Sequence, residues 1–135
     1  MILIRVLASP SMGPKLLNTQ AAYALLDRWQ RLELQVRCGL APEHPGIVRV
    51  YVHAGLHLVR CGLRPARDVH ERLLTTLLAS ARDEGLSWFW RSVCLENVNL
   101  PLALLRGLGA GYDAWEAAIQ DMRDRLPATP AVVGA

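Results

Sequence analysis

Two nearly identical heptapeptides, VRCGLAP at residues 36–42 and VRCGLRP at 59–65, set the strongest limit on what this chain can fold into. Helices commonly end on a Gly in the left-handed conformation, because Gly lacks the Cβ that makes that conformation costly. An apolar residue just past the Gly packs back onto the last turn, and a following Pro blocks continuation. Cys-Gly-Leu-x-Pro meets each of these terms. Arg37 and Arg60 also put a cation in the last turn, where the helix dipole favours one. The pair is therefore read as two helix stops. The residues ahead of them differ, LELQ against LHL, so an internal duplication is not supported.

Similar punctuation cuts the whole chain into five or six helical pieces. The first runs from about Leu17 to Cys38, with Asn18 and Thr19 as candidate caps and Ala22, Leu25, Leu26, Trp29, Leu32 and Val36 at three-four spacing. The second runs from about Pro45 to Cys61. Its IVRVYV segment alternates like a strand, but HAGLHLVRCG follows without a turn signal. Val48, Tyr51, Val52, Gly55, Leu58 and Val59 then form one helical face. A third helix opens with Pro65 at its first position and turns Val69, Leu73, Leu74, Leu77, Leu78 and Ala81 inward. Ser87 is the natural cap of a fourth, and a short PLALLRGL segment follows. The last helix carries Tyr112, Trp115, Ile119, Met122 and Leu126 on one stripe.

Short connections make consecutive helices antiparallel neighbours. The expected architecture is all-α: a single-domain antiparallel helical bundle of about five or six helices. Residues 15–127 form the bundle, residues 1–14 read as a flexible N-terminal extension, and 128–135 as a disordered tail.

An apolar fraction of 52% is high for a bundle of this size, so a dimer face or a protein partner is expected. The basic residues are almost all Arg, scattered among twelve carboxylates with no run of four, which argues against nucleic acid as a partner. MILIRVLASP is short and broken by Arg5, and no stretch approaches the roughly twenty apolar residues of a membrane span. Three cysteines without an export signal fit free thiols in a reducing cytoplasm.

Three constellations bear on chemistry. His53, His57 and Cys61 stand at i, i+4 and i+8 on the second helix, a stripe that presents transition-metal ligands. The bland alternative is two solvated histidines beside a half-buried thiol, with Arg49, His53, Leu56 and Arg60 all facing solvent. If the third helix descends and the fourth returns, Cys94 approaches the pole of Cys61. His57, Cys61 and Cys94 then form the candidate cluster for a transition metal, haem or thiol redox chemistry. Cys38 lies at the opposite pole and is left out. The third constellation is Trp88, Phe89, Trp90 and Arg91. Consecutive helical residues point about 100° apart, so all three aromatics cannot face one core. At least one looks outward, and the stretch is the candidate interaction surface. Arg91 is placed to stack on a neighbouring Trp or to pair with Glu96. No nucleophile elbow, P-loop, HExxH, CxxC or ExxH motif occurs, so no catalytic residue is assigned and an enzyme is not expected. No cofactor is the simplest expectation.

The stretches RWQRLELQVRCGL (28–40), VYVHAGLHLVRCG (50–62) and LSWFWRSVCLENVNLPL (86–102) resemble FagA, a small family associated with the iron regulator Fur in pseudomonads and their relatives. The likeness covers roughly Trp29 to Leu105, and WRSVCL is its most distinctive piece. It implies an all-helical cytosolic protein encoded near fumarase C and manganese superoxide dismutase and made when iron is scarce. It supplies no activity and no catalytic residue.

Overall fold

The computed structural model describes residues 18–109 and 111–127. The expected N-terminal extension, 1–14, and C-terminal tail, 128–135, lie outside the described residues. Six helices occur among the described residues: α1 (Thr19–Cys38), α2 (Gly46–Arg60), α3 (Ala66–Arg82), α4 (Trp88–Glu96), α5 (Asn99–Gly107) and α6 (Asp113–Arg125). The all-α bundle expected from the punctuation is what forms, and IVRVYV lies wholly inside α2.

The ends are set by the residues that the sequence offers. The Asn18 side chain accepts from the Ala21 N–H, and the Ser87 side chain accepts from the Trp90 N–H, so α1 and α4 each begin on a side-chain cap. Both heptapeptides stop their helices with Gly in the left-handed region, at φ 59° for Gly39 and 73° for Gly62. In each copy the Gly N–H reaches back three residues and the Leu N–H five, to Val36 and Gln35 in one and to Val59 and Leu58 in the other. That paired pattern satisfies carbonyls that the helix leaves orphaned. The two Leu differ. Leu63 packs against the core, whereas Leu40 is exposed, so the apolar backing forms in the second copy only. Pro65 is one residue earlier than expected: it is extended, outside α3, and its carbonyl accepts the first helical bond from Val69.

Cross-helix contacts give the directions. Trp29 meets Gly55 and Glu33 meets Tyr51, so α1 and α2 run antiparallel. Glu33 meets Arg72 and Arg37 meets Asp83, so α1 and α3 run parallel. Near one end of α3, Arg91 of α4 bonds the Ala81 carbonyl. Near the other end, Arg67 bonds Leu108 just past α5. Thus α4 and α5 form one descending rod broken at Asn97–Val98. Pro101 causes the break, since inside a continuous helix it would remove a bond and clash one turn back. In the first turn of α5 its missing N–H costs nothing. Finally α6 returns along that rod, with Arg123 on Asn99 and the Trp88 indole on the Pro127 carbonyl.

Helix α3 is central and packs against all five others. Its Leu73, Leu74 and Leu77 are fully buried, each stabilising the fold by roughly 1.5–3 kcal/mol through apolar burial. No helix among the described residues is long and apolar enough to cross a membrane.

Candidate functional site

The outer face of α2 carries the first predicted site. His57 Nε2 lies 3.5 Å from Cys61 Sγ, so the i, i+4 pair does meet, with His53 a further turn away. His53 and His57 line a groove of about 380 Å³ between α1 and α2, together with Leu25, Arg28, Gly46, Arg49, Val50 and Ala54. Of the residues placed on the solvent side, Leu56 is instead buried.

The proposed His57–Cys61–Cys94 cluster does not form. Cys94 is fully buried, with the Ser80 hydroxyl beside it and Arg37 near enough to act on its charge. Those neighbours belong to the far ends of α3 and α1. Cys61 lies at the other pole, joined by the short link Gly62–Pro65 to the start of α3. From Ala66 to Ser80 the helix rises roughly 21 Å at 1.5 Å per residue, far beyond any shared ligand shell. Helix α4 does start at the far end of α3 and return towards Cys61, as expected, but from Trp88 to Cys94 it rises only about 9 Å, so Cys94 stays level with Ser80. Burial pushes the Cys94 thiol up to about 12, as for an inert core thiol. No group of three or more His, Cys, Asp or Glu that could hold a metal ion occurs among the described residues.

The aromatic stretch also disperses. Trp90 is buried, and its indole N–H donates to the Val36 carbonyl at 2.9 Å, tying α4 to the end of α1. Trp88 lies half-buried and donates to the Pro127 carbonyl at 2.8 Å. Arg91 neither stacks nor pairs with Glu96. Its Nε donates to the Ala81 carbonyl at 2.8 Å, satisfying an acceptor at the end of α3. Only Phe89, 51% exposed, looks outward. The one-outward rule held, but the interaction surface expected at residues 88–91 reduces to a single ring.

Two features went unnoticed in the sequence. The first is a polar hub at Glu33. Arg72 donates to both of its oxygens, at 2.8 and 2.7 Å. The Tyr51 hydroxyl donates at 2.9 Å and the Thr76 hydroxyl at 3.1 Å. Trp29 stacks on Tyr51, with centroids 5.9 Å apart, and Arg72 lies over the Trp29 ring at 5.3 Å. Burial works to raise the Glu33 carboxyl, but the bonds from Arg72, Tyr51 and Thr76 outweigh it and hold the acid below its ordinary range. Burial pushes the Tyr51 phenol far up, keeping it a donor. Trp29, Glu33 and Val36 follow i, i+4 and i+7, so a carboxylate on the inner stripe was the available signal.

The second is the outer face of α5. Leu100, Leu104 and Leu108 are 41%, 38% and 45% exposed, at i, i+4 and i+8, with Ala103 and Gly107 exposed between them. The one charge on this helix, Arg106, is held by Glu116 and lies over Tyr112. The spacing in NLPLALLRGL carried this signal, since apolar residues cover more than one face of so short a helix.

A scan of protein-family models, of curated proteins and of solved structures finds no match to this chain. The class that the fold defines is a small all-α bundle built around one central helix.

Proposed function

We propose that the protein is a small non-catalytic accessory protein that works by protein–protein contact through α5, with a second copy or another protein as its partner. The observation that carries this reading is the exposed, uncharged Leu100–Leu104–Leu108 face. Three leucines on one stripe with small residues between them have the form of a helix–helix seam. The resemblance to FagA adds the setting: a cytoplasmic protein made under iron limitation, alongside metabolic and antioxidant enzymes. The test uses wild type and a Leu100→Glu/Leu104→Glu variant as bait in extract of iron-starved source cells, with sedimentation of each protein alone. Self-association or a defined retained protein, lost in the variant, is the expected result. A wild type that sediments as a monomer up to high concentration and retains no more than the variant overturns the reading.

A second reading is transition-metal, haem or thiol-redox binding, and it is supported by the 3.5 Å contact between His57 and Cys61. It now rests on the His57–Cys61 pair, with His53 one turn further along α2 and without Cys94. Arg49 and Arg28 in the same groove work against a cation there. Purified protein with no bound metal or haem and no thiol-dependent uptake of zinc removes it.

A further inference from the structure

The groove between α1 and α2 has a consistent chemical character. Its α2 wall is Gly46, Arg49, Val50, His53, Ala54 and His57, one face at three-four spacing, and α1 adds Leu25 and Arg28. Four of these eight residues are cationic or protonatable, and none is acidic. Most arginines lining the rest of the bundle have an acidic partner: Arg37 with Asp83, Arg72 with Glu33, Arg106 with Glu116. Arg28, Arg49, His53 and His57 have no carboxylate within salt-bridge reach among the described residues. The groove also borders the first turn of α2, where no acidic residue and no side-chain cap offset the positive end of the helix. Between the charges lie Leu25, Val50 and Ala54, which provide an apolar bed.

We propose that this groove binds a small organic anion, one phosphate or carboxylate carried on a short apolar body. The headgroup lies between Arg28 and Arg49, whose planar guanidinium groups match the oxygens of either anion. His53 and His57 add donors along the α2 side, and the apolar body covers Leu25, Val50 and Ala54. A volume of about 380 Å³ suits a small ligand, since such sites run from about 300 to 1,000 Å³. The same charges set the sign of the preferred ligand. Two arginines beside the histidines repel a metal cation and attract an anion. This site is separate from the α5 face, so either proposal can fail without the other.

The test is a titration of the full chain with octyl phosphate and with octanoate, followed by backbone amide and histidine ring resonances. Inorganic phosphate and 1-octanol are the comparison ligands. At least one of the amphiphilic anions is expected to saturate, moving the signals of Val50, His53, Ala54 and His57. Inorganic phosphate and 1-octanol should each bind at least about tenfold more weakly, because each supplies only half of the contact. Arg28→Gln/Arg49→Gln should weaken the anion about tenfold with an unchanged circular dichroism spectrum, whereas Arg82→Gln should leave it unaltered. Three results overturn the proposal: no saturable binding of either anion, 1-octanol binding as well as the anions, or an undiminished affinity in the double variant. Saturable zinc binding at His53 and His57 that excludes the anion also overturns it, in favour of the metal reading.

Discussion

On one side of α3, towards α1 and α2, a half-buried carboxylate gathers Arg72, Thr76 and Tyr51 under a stacked Trp29. On the other side, α4, α5 and α6 bury Trp90, Cys94, Leu102, Leu105, Ile119 and Met122, none of them charged. The contrast separates two ways of fixing a helix. Apolar contact is strong and tolerant of small shifts, while a hydrogen-bonded hub adds less net energy but permits one register only. Here Glu33 aligns three helices at once, because each partner comes from α2 or α3.

Truncation on the apolar side should produce the largest loss. Leu105 is fully buried, so Leu105→Ala removes its burial and leaves a cavity, a cost of about 3 kcal/mol. Because no charge is involved, urea midpoints should fall equally at pH 5 and pH 7 and at low and high salt. A loss that varies with salt would show that the two sides are not separable. Leu104→Ala, on the exposed face of the same helix, should change stability by less than about 0.5 kcal/mol.

Next in size is the hub. Glu33→Ala leaves the Tyr51 and Thr76 hydroxyls and one face of Arg72 without an acceptor, a loss of about 2 kcal/mol. The figure is kept low because the Arg72 side chain is partly exposed and water can take over. The effect also carries a pH signature. The Glu33 acid sits below its ordinary value of 4.5, so its contribution is complete above that pH and is lost as pH falls through the folded value. The gap between wild type and Glu33→Ala should therefore close in strong acid. Replacing the hub as a whole, with Glu33→Met, Tyr51→Phe and Arg72→Leu, should recover most of the loss. A variant no less stable than wild type at pH 7 would mean that the hub only decorates an apolar interface.

These two sides were unequally legible in the sequence. Three-four spacing and stop chemistry read out the helices, because both are local: Val69, Leu73, Leu77 and Ala81 define an inner face without knowledge of any partner. The hub was not legible, since Glu33, Tyr51 and Arg72 lie far apart in the chain and meet only when α1 runs parallel to α3. The placement of Cys94 shows a related limit. Spacing on one helix was reliable, as His57 and Cys61 show. Distance along a neighbouring helix was not: α4 starts at the expected pole, but its nine residues rise only about 13 Å, too little to bring Cys94 back to Cys61. Phe89, Trp88 and Trp90 show the limit again: the 100° rule said that they diverge, but not that Trp90 would close over the end of α1.

Acid provides a finer contrast near the start of α3. His70 is buried with no partner for Nδ1 among the described residues, and burial lowers its proton affinity in the folded state. The folded value lies below the ordinary 6.5, so the unfolded chain binds the proton more readily between the two. Stability should be complete above pH 6.5 and decline as pH falls from there, before the Glu33 step begins. His70→Leu should flatten this first decline and leave the second untouched. A first decline that persists in the variant would show that His70 is not its source.

The smallest effect lies in the feature from which the fold was first read. Both heptapeptides make the same backbone bonds, yet Leu63 packs on the core and Leu40 stands in solvent. If the stop depends on Gly and the backbone alone, Leu40→Ala and Leu63→Ala should both be silent. If the apolar backing contributes, Leu63→Ala should cost about 1 kcal/mol and Leu40→Ala less than about 0.5 kcal/mol. The second outcome is expected, because burial acts only where water is removed. Gly39→Ala and Gly62→Ala should each cost about 1 kcal/mol, as both require the left-handed conformation. Four urea midpoints decide the matter. Equal losses at Leu40 and Leu63 would mean that the two stops differ in surroundings but not in strength.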